Sequence, residues 1–275
     1  MEKQIIWRGL LAGACAGVLA FLFARIFVEP QIDRAIDYED GIGAAHDAGG
    51  KAAHAAHAAA GAGTAGHSHG GDGAGFSRAV QTNIGMGLGV LAFSIAIGAL
   101  VAVVFAVAYG RVGDVSARLL SLYVAGGMLI SLYVVPALKY PASPPALSLD
   151  ETIRQRTLLY LLMVALSAAA LVGAVYLGRR LVARLGVWNA TVAATGAYVL
   201  AVATLMFILP TIEETPGPLV DESGTIIFGG FPADVLYEFR LYSLGTQIVI
   251  YATIGLVFAE LVSRLLGERT KVPTR

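Results

Sequence analysis

Charge is scarce in this chain. Only 14 % of its 275 residues are Asp, Glu, Lys or Arg, against about a quarter in an ordinary soluble domain. With 57 % of the residues hydrophobic, that shortage excludes a disordered chain, a nucleic-acid binder and almost any soluble enzyme. It points to an integral membrane protein. The one cysteine, Cys15, excludes an intramolecular disulfide and a cysteine-cluster metal site. Lysine is rare among the cations, four against fifteen arginines, and with the abundant alanine this bias indicates a GC-rich bacterial genome. The motifs G-x-x-x-x-G-K-[ST], H-E-x-x-H and G-x-S-x-G are absent. Nucleotide hydrolysis and hydrolase chemistry therefore have no support, and the chain is not read as an enzyme.

What is present is a set of long apolar runs. A membrane helix needs about 20 mostly apolar residues. Six windows qualify, at about 6–28, 84–109, 119–138, 157–177, 187–209 and 243–261. They are too long and too uniformly apolar for the strands of a barrel. The expected fold is all-α: one membrane domain over residues 1–275, a bundle of about six transmembrane helices. The second to fifth windows contain no Asp, Glu, Lys or Arg, which argues against a proton relay through a mid-membrane carboxylate. The first window is read as a retained span, not a signal peptide, because its apolar run continues a dozen residues past Cys15. It carries Gly9, Gly13 and Gly17 at every fourth position, a spacing that lets a second helix approach closely.

Lys and Arg accumulate on the cytoplasmic side. With the N-terminus inside, the inner connections and both termini hold eleven of the 19 basic residues and four of the 19 acidic ones. The short connection with Arg179, Arg180 and Arg184 weighs most. The expected topology is therefore six spans with both termini cytoplasmic. The outer side then holds a long loop before Asn83 and an acidic loop over 210–242.

All five histidines, His46, His54, His57, His67 and His69, lie within one stretch. Residues 41–75 hold 24 Ala or Gly among 35. Such a segment buries too little apolar surface to offset its ordering entropy and is expected to be a mobile outer loop. Histidine-rich tracts of low complexity bind metal. His67 and His69 can chelate from an extended chain, His54 and His57 share a face if the alanines coil into a helix, and Asp47 and Asp72 offer oxygen. Neutral imidazole suits Zn, Cu, Ni and Co, but a floppy cluster cannot select cobalt over nickel or copper. The segment reads as a collector of divalent metal, not a filter. Capture weakens in acid, because a protonated imidazole cannot ligate.

Glu29 to Arg34 close the first span, and Pro30 is expected to stop or redirect that helix. Four prolines between Val135 and Pro145 are expected to force a non-helical path at membrane depth. Leu209-Pro210 ends the fifth span, and Pro232 opens the helix that leads through Arg240 into the sixth. In this topology Glu29, Asp33, Lys139, Glu213, Glu214, Asp234 and Arg240 converge on the outer face. They read as a polar vestibule for a cation or, one residue at a time, as interfacial anchors. Asn189 and Gln247 are neutral polar groups inside spans that can line a path or bond between helices.

These residues together resemble the CbtA family of predicted cobalt transporter subunits. The likeness runs through Gly9–Gly13, Phe23-Ala24-Arg25 and Glu29–Ile36. It continues through Tyr109-Gly110-Arg111, Val135-Pro136, Lys139–Ala142 and Pro144-Pro145. Beyond them lie Leu177–Leu181, Trp188-Asn189-Ala190, Leu209-Pro210, Phe231–Leu236, Phe239-Arg240 and Ser243–Gln247. The resemblance implies a bacterial inner-membrane protein in cobalt uptake, linked to cobalamin synthesis. It also implies a small single-span partner, CbtB, with its own histidine-rich tail, and no permanently bound cofactor. The family is usually described with five spans, against the six counted from hydropathy. Co²⁺ is the expected cargo and membrane lipid the surroundings, with a nickel permease as the closest rival. A membrane assembly or sensor subunit that binds metal without transporting it is the alternative class.

Overall fold

The computed structural model describes residues 2–58, 84–144, 147, 150–212, 215–221 and 223–267. The helices are α1 (Glu2–Phe23), α2 (Glu29–Ala58), α3 (Met86–Ala108), α4 (Ala117–Met128), α5 (Val135–Lys139), α6 (Asp150–Ile208) and α7 (Ala233–Leu265). A two-stranded antiparallel pair, β1 (Leu219–Val220) and β2 (Ile226–Phe228), precedes α7.

The glycines of the first span do what their spacing predicts, and α3 is the partner. A Cβ on Gly9 or Gly13 would collide with the backbone carbonyls of Gly98 and Ser94, and one on Gly17 would lie 2.8 Å from Leu91 Cδ1. The two helices are thus in backbone contact, the geometry that small residues permit in lipid. Around that seam Ala12, Ala16, Val101, Ala102 and Phe105 form a buried core with Leu120 and Met128 of α4 and Ile254, Phe258 and Val262 of α7.

Two prolines sit inside helical runs. The expectation that Pro30 ends the first helix is wrong: helix continues from α1 through a π-helical turn, Ala24–Val28, into α2. The same device precedes Pro136, where the π turn Leu129–Val134 leads into α5. The path from Val135 is therefore helical as far as Lys139, and the non-helical stretch begins only at Tyr140. In an α-helix a proline ring strikes the carbonyl four residues back. In each π turn the residue before the proline bonds five back instead, Glu29 to Ala24 and Val135 to Ile130, which widens the turn and gives the ring room. The Leu132 carbonyl, four residues before Pro136 and deprived of its backbone donor, accepts a bond from the Tyr160 hydroxyl at 3.3 Å.

Among the described residues five helical runs are long and apolar enough to cross a membrane. One of them folds back on itself. Gly186 has φ 75°, ψ 168°, a backbone that favours glycine. A Cβ on Gly178 would lie 3.1 Å from that of Ala194, the hydroxyls of Ser167 and Tyr198 are 2.9 Å apart, and Met163 shares a buried cluster with Val202. In a straight helix residues 178 and 194 would stand about 24 Å apart. So α6 is a hairpin of two antiparallel arms, 150–185 and 187–208, and the bundle has about six crossings. The hairpin meets the rest of the bundle through the π turn and α5. Its flanks carry bare apolar side chains such as Phe207, 91 % exposed, as a lipid-facing surface does.

The expectation of a mobile loop over 41–75 fails for residues 41–58. The backbone from Gly41 to Ala58 is helical, an extension of α2. Alanine is the best helix former and a helix propagates readily from an existing turn. Residues 59–75 lie outside the described part.

Adding one methyl group tests the central seam. Gly98→Ala is expected to cost about 1–3 kcal/mol, because its Cβ would press on Gly9 and Gly13. Gly89→Ala on the same helix has open space and should be neutral or gain up to about 1 kcal/mol. Thermal unfolding of the purified protein reads both.

Candidate functional site

The polar groups singled out in the sequence gather mostly at one end of the bundle, where α2 begins, α5 ends, the two arms of α6 have their free ends and α7 starts. Its centre is the strap from Lys139 to Ala142. Lys139 Nζ donates to Thr211 Oγ1 at 2.9 Å, and the Tyr140 hydroxyl donates to the Pro210 carbonyl at 2.8 Å. Arg156 of the first arm donates to the Pro141 carbonyl, and Arg240 Nε of α7 donates to the Ala142 carbonyl at 3.2 Å. The end of α5 and the short non-helical stretch after it thus tie both arms of α6 and α7 together, and the Pro141 and Ala142 carbonyls gain donors in doing so. Burial of the Tyr140 ring raises its phenol above the ordinary value, so the hydroxyl keeps its proton and remains a donor to the Pro210 carbonyl.

Beside the strap a second layer is acidic. Glu29, at the first turn of α2, is 2 % exposed. Two residues on, Gln31 Nε2 donates to Glu238 Oε2 of α7 at 2.7 Å, and Arg34 stands 3.5 Å from the same carboxylate. Asp33 is exposed on the same turn, and Asp234 is exposed in the first turn of α7, where a carboxylate complements the helix dipole. Above them Tyr38 stacks edge-on to Phe231, ring centres 4.9 Å apart, and its hydroxyl donates to the Gly229 carbonyl. Gly41 lies against the Phe228 ring, where a Cβ would come within 2.8 Å. This aromatic cluster holds α2 to β2 and the start of α7, and so fixes the direction in which the histidine-bearing helix leaves the bundle.

Not every sequence candidate joins this end. Gln247 lies in α7, seven residues, or about 10 Å, beyond Arg240 towards the bundle centre. Its Oε1 and Ser94 Oγ are buried side-chain atoms with no hydrogen-bond partner among the described residues. Asn189 is elsewhere. It follows Gly186 at the opposite end, exposed, its Nδ2 donating to the Leu185 carbonyl at 3.2 Å. His46 is the last histidine whose side chain is described, and it is exposed. Asp47, His54 and His57 lie further along the α2 backbone. His67, His69, Asp72, Glu213 and Glu214 fall outside the described residues. Among the described residues no three His, Cys, Asp or Glu stand close enough together to hold a metal ion. The sequence reading missed Gln31, Arg34, Tyr38, Arg156 and Glu238. Gln31, Arg34 and Tyr38 follow i, i+3, i+7 spacing on α2, a helical face that periodicity exposes; their partners come from 190 residues or more away.

The opposite end is basic. Arg118 donates to Glu260 at 2.8 Å and to Ser263 at 3.0 Å, Arg264 donates to Glu260 at 2.7 Å, and Arg179 of the hairpin donates to the Arg111 carbonyl.

Apolar flanks, charge held at the two ends and helices crossing between them define a polytopic helical membrane protein. The family described as a probable cobalt transporter subunit (CbtA) matches residues 2–263, and the chain belongs to that family. The resemblance carried by Glu29-Pro30, Lys139-Tyr140-Pro141-Ala142 and Phe239-Arg240 is thereby confirmed. No curated protein and no solved structure matches the chain.

The strap gives a graded test. Arg240→Gln leaves a half-buried carbonyl without its charged donor and is expected to cost about 1.5–3 kcal/mol. Lys139→Met loses a more exposed contact and should stay within about 0.5 kcal/mol. Thermal unfolding in detergent ranks the two variants.

Proposed function

We propose that this chain is the membrane subunit of a bacterial inner-membrane Co²⁺ uptake transporter that supports cobalamin synthesis. Its Glu29 end faces outward and both termini are cytoplasmic, the orientation in which the arginine-rich hairpin turn and the Arg118–Glu260–Arg264 group lie inside. The observation that carries this reading is the helix shared by the two polar features. The run that buries Glu29 in the bundle continues through Asp33 and His46 into the histidine-rich segment. Metal gathered on the histidines is thus tethered to the helix whose base meets the acidic layer.

In this reading His46, His54, His57, His67 and His69, aided by Asp47 and Asp72, raise the local concentration of divalent metal. Glu29, Asp33, Asp234 and Glu238, with Glu213 and Glu214 of the acidic loop, receive it; carboxylates suit hard and borderline divalent ions. Gln247 is the next polar group inward. Lys139 and Arg240 hold the strap and do not face the ion as ligands. A small single-span, histidine-rich subunit is the proposed partner, and it contributes further imidazole.

The test is cobalt accumulation by cells at limiting external metal. Deleting 41–75 should lower uptake several-fold at low cobalt and little at saturating cobalt, since a collector changes local concentration and not the path. Changing Glu213 and Glu214 together to Gln should lower uptake at both. If neither variant differs from the unaltered protein in accumulation, this mechanism is wrong. Competition by Ni²⁺ against labelled Co²⁺ ranks the two cargoes. Liposomes holding this chain alone, then with the small subunit, separate a transporter from a metal-binding assembly subunit.

A further inference from the structure

A cavity of about 350 Å³ lies against the strap, between α5 and the first arm of α6. Its lining includes the rings of Tyr133, Tyr140 and Tyr160 and the aliphatic Ala137 and Ile153, with Arg156, Thr157 and Ser143 as polar members. Among the described residues that line it there is no carboxylate. Among the described liners the charged one is Arg156, and Arg240 is held on the neighbouring carbonyl of the strap. A guanidinium donates hydrogen bonds and cannot ligate a cation, so these liners do not suit the metal. A guanidinium is instead matched to phosphate, which its planar fork meets with two parallel hydrogen bonds.

The position narrows the ligand. The cavity sits where the apolar arms give way to the polar end. Ile153 and Thr157 on its wall are exposed on the flank of the hairpin, and Leu138 beside it is 71 % exposed. A free anion would meet apolar wall on most sides, whereas an acyl chain would lie along it.

We propose that this cavity binds the phosphate headgroup of an anionic phospholipid, with Arg156 as the phosphate ligand, Thr157 and Ser143 as hydroxyl partners, and the acyl chain lying along Ala137 and Ile153. The lipid fills the gap between the hairpin and the rest of the bundle, beside the strap that joins them. This assignment does not depend on the cargo of the transporter.

Purified full-length protein in detergent is titrated with phosphatidylglycerol, with phosphatidylcholine of the same chains, and with inorganic phosphate. Bound lipid is counted by native mass spectrometry and unfolding temperature is followed in parallel. Phosphatidylglycerol is expected to bind and to raise the unfolding temperature, phosphatidylcholine to do so far less, and phosphate alone not at all. Arg156→Gln should weaken phosphatidylglycerol binding about tenfold or more, the loss of its charge-assisted contact with the phosphate. Arg156 also holds the strap, so Ala137→Phe supplies a second variant: it fills the cavity, keeps the guanidinium, and should abolish the lipid-dependent rise. Equal binding of both lipids, or unchanged phosphatidylglycerol binding in both variants, overturns the site. Full protection by inorganic phosphate overturns the lipid assignment.

Discussion

The bundle depends on the backbone contact between α1 and α3. In lipid there is no hydrophobic drive to press helices together, so association rests on close packing. Gly9, Gly13 and Gly98 remove the side chains that would keep these helices apart. The seam they form carries Phe105, which in turn meets Phe258 of α7 edge-on with ring centres 5.3 Å apart. Through α7 the same core reaches α4. The hairpin α6 stands outside this arrangement, joined at its flank, and the strap at Lys139–Ala142 ties its free ends to α5 and α7.

A second constraint decides what happens at the polar end. Prolines that would stop an ordinary helix are accommodated by π turns at Ala24–Val28 and Leu129–Val134. Because the first helix does not stop, Glu29 is carried into the bundle while the same rod carries His46 outward. Because the third span continues past Pro136 before breaking at Tyr140, the strap falls where Arg156 and Arg240 can both reach it. The end therefore has two characters side by side. The layer between α2 and α7 is acidic through Glu29, Asp33, Asp234 and Glu238, and the strap, where α5, α6 and Arg240 of α7 meet, is basic through Lys139, Arg156 and Arg240. The proposed metal route belongs to the first and the proposed lipid site to the second.

Much of this was legible in the sequence, and the reason is the solvent. In a bilayer a span must be long and apolar, so the windows at 84–109 and 119–138 fall within a few residues of α3 and of α4 with α5, and the window at 243–261 lies inside the longer α7. The glycine spacing named a close seam, but not its partner. Arg179, Arg180 and Arg184 separated two arms that run as one helical stretch apart from a single left-handed residue, Gly186. What the sequence misread was the effect of proline. Pro30 and Pro136 look like stops, because the π turn that absorbs each has no local signature. The pairing of Gln31 and Arg34 with Glu238 was equally hidden, since it joins residues more than 200 apart. Asn189 shows the converse: a polar residue in an apolar span drew attention, yet it lies beside the hairpin turn at the far end.

The central claim is that the acidic end, with its histidine-bearing helix, faces out of the cell. The direct measurement is labelling of intact cells by a membrane-impermeant thiol reagent, in a Cys15→Ser background, with single Tyr237→Cys and Leu185→Cys variants. Tyr237 is exposed beside Glu238, and Leu185 is exposed at the hairpin turn. The proposed orientation predicts labelling at 237 in intact cells and at 185 only after lysis. Labelling at 185 and not at 237 in intact cells would contradict it, and would place the histidines and the acidic layer on the cytoplasmic side.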